Sequence, residues 1–231
     1  MRRILSLIMI WGVASLAWAG DVAQFRILGF SPDGRYMDFA SYGIDNPSGF
    51  PYAETHIVDV ITNEFVPGTS VREVYPVTPS VGDDGFEALL AVYDRTALER
   101  RHWRIDPLKQ GRTIFLRVLS EDTQANYDNF EFLDYATGDR YQVSMHKTIE
   151  TTAEGKVQSK FFISLTLTDK AGHVRHLEAG HPNFIRPGVA NYIIDRILLS
   201  PNNRSLIFVI EREEISGKTV NMRNMVETLV L

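Results

Sequence analysis

The sequence predicts a mainly β protein of antiparallel meanders with one substantial helix, and three observations carry that prediction. Residues 160–168 alternate: Phe161, Ile163, Leu165 and Leu167 share one face, and Ser164, Thr166 and Thr168 line the other, the period of a strand buried on one side. Ser31-Pro32-Asp33-Gly34 separates two runs of β-branched, aromatic and small residues, 22–31 and 36–42. Pro32 presets φ there, and Gly34 can take the positive φ of a tight hairpin return. The period becomes helical between about residues 84 and 104, where Phe86, Leu89, Leu90, Tyr93 and Ala97 recur behind the capping residues Ser80, Asp83 and Asp84 and ahead of Asp106-Pro107.

Taken in order, the chain opens with Met1-Arg2-Arg3, an apolar run from Ile4, and Ala17-Trp18-Ala19 before Gly20. This is a basic start, an apolar middle and a small-x-small cleavage site, so residues 1–19 read as a secretory signal and 20–231 as a single β-rich domain. The uncharged stretch from Ile4 to Ala19 is shorter than the roughly 20 residues of a spanning helix, so no membrane anchor is expected after cleavage. Residues 55–60 form a third strand that ends in the turn-forming Asp59-Val60-Ile61-Thr62-Asn63-Glu64. The helix follows, and Arg100-Arg101-His102 in its last turns complement the helix dipole. Strands return at 114–119, 130–135, 140–148, 173–179, 192–199, 205–213 and 220–231.

Two internal echoes stand out. Ser31-Pro32-Asp33-Gly34-Arg35 recurs as Ser200-Pro201-Asn202-Asn203-Arg204, and Asp59-Val60-Ile61-Thr62-Asn63-Glu64 as Asp134-Tyr135-Ala136-Thr137-Gly138-Asp139. These pieces resemble the hairpin turns of TolB-like propeller blades. A full propeller needs at least four blades of roughly 40 residues, and the helix occupies chain that blades would need, so blade-like hairpins without a complete propeller are expected. Together with the leader, the segments Gly29-Phe30-Ser31-Pro32-Asp33-Gly34-Arg35-Tyr36, Ser48-Gly49-Phe50-Pro51-Tyr52 and Ile57-Val58-Asp59-Val60 resemble a family of predicted secreted bacterial proteins of unknown function. That resemblance implies export and a β-rich domain, and it assigns no activity to any residue.

The candidate binding loop spans residues 43–52, where Asp45, Asn46, Ser48, Phe50 and Tyr52 stand among two glycines and two prolines on a β scaffold. Its competing role is to fold the two aromatics back over a sheet edge. A second candidate is His173, His176, Glu178 and His181, which a zinc ion could use, although His173 and His176 point to opposite faces of a strand and no His-Glu-x-x-His spacing occurs. Carboxylates including Asp45, Asp59, Asp83, Asp84, Glu121, Asp122, Glu213 and Glu214 leave a glycosidase-like pair open without locating it.

Composition removes other classes. With no cysteine there is no disulfide, thiolate metal site or lipidated cysteine. The formal net charge of −5, more negative still once Arg2 and Arg3 are lost, and the lack of a basic patch argue against nucleic acid as a partner. The chain has no nucleophile elbow, phosphate-cradling loop or dinucleotide fingerprint. The expected function is therefore that of an exported, periplasmic binding or protein-interaction module without cofactor, whose partner is a protein or envelope component. The alternatives are a carboxylate-dependent hydrolase of cell-envelope material and a histidine-based metal binder.

Overall fold

The structure is a computed structural model that describes residues 20–118, 127–217 and 219–231. The expected leader and the Glu121-Asp122 pair lie outside the described residues. The first sheet comprises β1 (Gln24–Phe30), β2 (Tyr36–Asp45), β3 (Phe50–Asp59), β4 (Glu64–Phe65) and β5 (Val71–Val74), in the order β1-β2-β3-β4 with β5 also on β3. Helices α1 (Phe86–Arg95) and α2 (Ala97–His102) follow, then β6 (Arg112–Leu116). A further sheet holds β7 (Asn129–Asp134), β8 (Asp139–Thr151), β9 (Val157–Thr168), β10 (Val174–Ala179) and β11 (Arg186–Pro187), in the order β10-β9-β8-β7 with β11 on β9. The last strands, β12 (Val189–Leu199), β13 (Ser205–Ser216) and β14 (Thr219–Val230), join β6 in a sheet ordered β14-β13-β12-β6. All pairings between these strands are antiparallel, and the sheets do not close into a barrel or propeller.

The sheet of β6 and β12–β14 is the middle layer, and β13 explains why. Leu206, Ile207, Phe208, Val209 and Ile210 are consecutive and all 0% exposed. Such a run has no solvent face, so it needs a partner on each side. Leu206, Phe208 and Ile210 pack with Tyr141, Val143, Phe161, Ile163 and Leu165 of β8 and β9. Ile207 and Val209 pack the opposite way, with Phe30, Met37, Phe39 and Val58 of the first sheet. The first sheet in turn covers its other face with α1, placing Ala88, Leu89 and Val92 on Ala40, Tyr42 and Ala53. Each fully buried Leu, Ile or Phe side chain contributes about 1.5–3 kcal/mol, which lets this cysteine-free chain rely on its cores.

Both sequence echoes are the same local structures built twice. In the first turn Ser31 N–H donates to Tyr36 O at 2.8 Å, Tyr36 N–H to Ser31 Oγ at 2.9 Å and Arg35 N–H to Asp33 Oδ1 at 3.1 Å. At the other end Ser200 N–H donates to Ser205 O at 2.9 Å, Ser205 N–H to Ser200 Oγ at 3.0 Å and Arg204 N–H to Asn202 Oδ1 at 3.0 Å. Asn203 takes φ 57° where Gly34 takes 72°, a left-handed conformation that Asn tolerates. The turns also touch, since Asn202 Nδ2 donates to Asp33 O. In the second echo, Asp59 and Asp134 accept the backbone N–H two residues on, from Ile61 and Ala136, and each binds an arginine: Arg35 at 2.7 Å and Arg112 at 2.6 Å.

The helix differs from expectation in being two short segments joined at Thr96. The Thr96 hydroxyl donates to Val92 O at 2.7 Å and accepts from Arg100 Nη1 at 2.6 Å. Arg100 therefore turns inward, over the Tyr93 ring at 3.5 Å and 3.9 Å from the buried Asp38 carboxylate, instead of completing a cationic helix end. Gly85, with φ 81°, occupies the N-cap position of α1, where a Cβ would overlap the Gly43 carbonyl. Gly85 thus lets helix and strand backbones meet.

Candidate functional site

The segment proposed as a long loop is a tight hairpin. Gly43 pairs with Tyr52, Ile44 with Pro51 and Asp45 with Phe50, which leaves four residues, 46–49, as the turn. Ser48 Oγ donates to Asp45 Oδ2 at 2.8 Å, Gly49 N–H donates to Asp45 O at 2.7 Å, and Gly49 takes φ 70°. Asp45 also accepts Arg72 Nη2 at 3.1 Å. Asn46 and Ser48 are exposed and Phe50 half-buried, while Tyr52 is 0% exposed. The Tyr52 hydroxyl accepts Arg223 Nη1 at 2.8 Å, and the same nitrogen pairs with the buried Asp21 carboxylate at 2.5 Å. Burial dominates the surroundings of the Tyr52 phenol and raises its pKa. Tyr52 therefore fastens the first sheet to β14, and of the five proposed residues Asn46 lines a cavity, one it shares with Asp21, Gln24 and Asp84.

The histidine cluster is dispersed. His173, His176, Glu178 and His181 are all exposed. His173 Nδ1 binds Asp169 Oδ2 at 2.8 Å and His176 Nδ1 binds Thr166 Oγ1 at 3.1 Å. Among the described residues, no three or more His, Asp or Glu side chains are grouped so as to hold a metal ion.

A different site emerges where the three sheets meet. Here a cleft of about 320 Å³ opens between the β3–β4 connection, strands β13 and β14, and the segment from His181 to Arg186. Val58, Phe65, Phe184, Met225 and Val226 give it apolar walls, and Asn63, Glu64, His181, Arg186, Arg212 and Glu227 supply its polar atoms. Phe65 and Phe184, both lining the cleft, stand 51% and 57% exposed and give it an accessible aromatic surface.

Glu227 sits at the base of this cleft and fastens it. The side chain belongs to β14, yet Arg186 of β11 donates from Nη2 to Oε1 at 3.0 Å, and Asn63, beyond β3, donates from Nδ2 to Oε2. One carboxylate thus ties all three sheets together. Asn63 Oδ1 returns the contact by accepting Thr228 N–H at 2.7 Å, and Arg186 lies 4.6 Å over Phe161 and 4.8 Å over Phe184. Burial raises the Glu227 pKa, against the lowering influence of Asn63 and Arg186. Behind the aromatic rim, His56 stacks on Phe65 at 4.8 Å. Its pKa is lowered mainly by burial, which outweighs the raising influence of Glu54, and the Arg212 charge pushes the same way as burial.

Sequence reasoning missed this site because its members are separated by 41 residues between Arg186 and Glu227 and by 164 between Asn63 and Glu227. One signal was present: Glu227 is a lone carboxylate in the run Met225-Val226-Glu227-Thr228-Leu229, where a buried strand position needs a partner.

Fold and site together define a layered antiparallel β protein with an aromatic-rimmed cleft at its sheet junction. The chain belongs to the family described as "Predicted secreted protein (DUF2259)", whose match covers residues 38–229, nearly all of the sheets and both helices. It is thus a secreted protein of a family without an assigned function. No curated protein matches the chain.

Proposed function

We propose that this secreted protein is a periplasmic binding protein that holds a small envelope-derived molecule in the cleft at the three-sheet junction. The observation that carries this reading is the state of Glu227. Each of its oxygens accepts a hydrogen bond, one from Arg186 and one from Asn63, so the one buried acid of the cleft serves to organise its walls. An apolar pocket with a few fixed polar groups and an exposed aromatic rim is the general form of a small-molecule site. A hydrolytic reading has Glu64 on the same cleft, but it lacks an uncommitted partner acid in Glu227. The hairpin tip at Asp45, Asn46, Ser48 and Phe50, backed by the buried Tyr52, is the second contact surface in this proposal, suited to a protein partner because its turn is pre-stiffened by the Asp45–Ser48 bond.

The neutral fluorescent dye N-phenylnaphthylamine tests the cleft. Wild-type protein is expected to bind it saturably, and a Phe65→Ala, Phe184→Ala double variant to bind at least about tenfold more weakly, as loss of two half-buried aromatic surfaces implies. Equal affinity in a folded double variant would remove the cleft as the site.

A further inference from the structure

Among the described side chains, four buried polar atoms have no hydrogen-bond partner: Asp38 Oδ1, Ser41 Oγ, Arg117 Nε and Arg212 Nε. Of these residues, Arg212 is the one that lines a described cavity, and that cavity is the cleft at the sheet junction. The cations there divide clearly. Arg186 is spent on Glu227 and stacked between aromatic rings, whereas Arg212 is held by Nη2 to Glu214 at 2.8 Å, with its side chain 31% exposed and its Nε–H unanswered. A guanidinium whose buried Nε–H has no partner, on a residue that lines the cleft with Phe65, Phe184 and Met225, matches a planar anion attached to an apolar body.

We infer that the cleft takes an amphipathic monoanion, a carboxylate on an aromatic or short aliphatic body, with Arg212 receiving the head and Phe65 and Phe184 covering the tail. The volume of about 320 Å³ equals on the order of ten waters at about 30 Å³ each, which suits a small aryl or acyl acid and excludes a folded peptide. Of the two carboxylates that line the cleft, the buried Glu227 is paired with Arg186, and Glu64 is exposed. Glu214 meets Arg212 at Nη2, 2.8 Å away.

This inference rests on the cleft being the binding site, and calorimetric titration of the full exported chain separates the two. The ligands are phenylbutyrate, its uncharged counterpart phenylbutanol, and N-phenylnaphthylamine. The expected result is that wild type prefers the carboxylate over the alcohol by about tenfold, the effect of one charge-assisted hydrogen bond, and that Arg212→Met equalises them while keeping its affinity for the alcohol. Equal wild-type affinity for acid and alcohol, with the dye still bound, overturns the anion inference and leaves the cleft standing; this comparison needs no variant to fold. A carboxylate preference that survives in Arg212→Met overturns the role of Arg212. Failure of wild type to bind any of the three removes both the inference and the reading beneath it.

Discussion

Replacing Arg186 by Met is expected to destabilise the protein by about 3–5 kcal/mol at neutral pH, because it strands the Glu227 carboxylate in the interior. Arg186 is 8% exposed and Glu227 2%, and their contact at 3.0 Å joins the outer β7–β11 sheet to the middle layer. The substitution also removes a cation lying over Phe161 and Phe184. Because burial already raises the Glu227 pKa, and loss of Arg186 removes a group that lowers it, the stranded acid is protonated more readily as pH falls. The penalty in Arg186→Met should therefore be smaller at about pH 5 than at about pH 8. Adding Glu227→Gln should recover most of the loss, since the charge left behind is its main cause. Denaturant unfolding of the four members of this cycle measures the coupling. A loss under about 1 kcal/mol for Arg186→Met would place the pair among weak surface bridges and remove it as the fastening of the junction.

Asp38 gives the second large effect, read as a change with pH. Its side chain is almost fully buried beneath the helices, Oδ1 has no partner, and the nearest cation, Arg100, stands 3.9 Å from Oδ2. Burial outweighs that cation and raises the pKa from 3.8 to about 7. Between those values the native protein holds a proton that the unfolded chain has released. Stability contributed by this residue is therefore present in full at low pH, falls as pH rises through the window, and is lost above about 7. At about 1.4 kcal/mol per unit, the swing is about 4 kcal/mol. Asp38→Asn cannot ionise, so its stability relative to wild type should shift by that amount in favour of the variant between about pH 4 and about pH 8. Whatever offset Arg100 imposes at low pH cancels from the difference. Parallel stability curves for the two proteins would contradict the assignment.

Local periodicity carried the fold a long way. The alternation at Phe161, Ile163, Leu165 and Leu167 became β9 with those side chains inside. The turn at Ser31-Pro32-Asp33-Gly34 formed with its serine and aspartate bonds, and the Ser200 echo repeated it. What sequence could not express was layering. Leu206 to Ile210 reads as an apolar strand in any event, and its need for cover on both faces is met by two separate sheets, from residues 24–74 and 129–187. The hairpin of residues 43–52 was misread for a related reason. Pro47, Gly49 and Pro51 mark a turn locally, but pairing on either side of residues 46–49 is decided by the whole of β2 and β3. The burial of Tyr52 was left open by the sequence because its partner, Arg223, lies 171 residues away. The cleft escaped notice on the same grounds, since no spacing links Asn63, Arg186, Arg212 and Glu227 until three sheets bring them together.

The cleft itself is tested most directly by amide correlation spectra of the protein during titration with N-phenylnaphthylamine. Shift changes are expected to gather at Val58, Phe65, Phe184, Arg212, Met225 and Glu227, which line one cavity from two sheets and the segment before β11. Changes concentrated at Asn46, Ser48 and Phe50 on the hairpin tip, or scattered without a focus, would contradict the assignment of the binding site to the sheet junction.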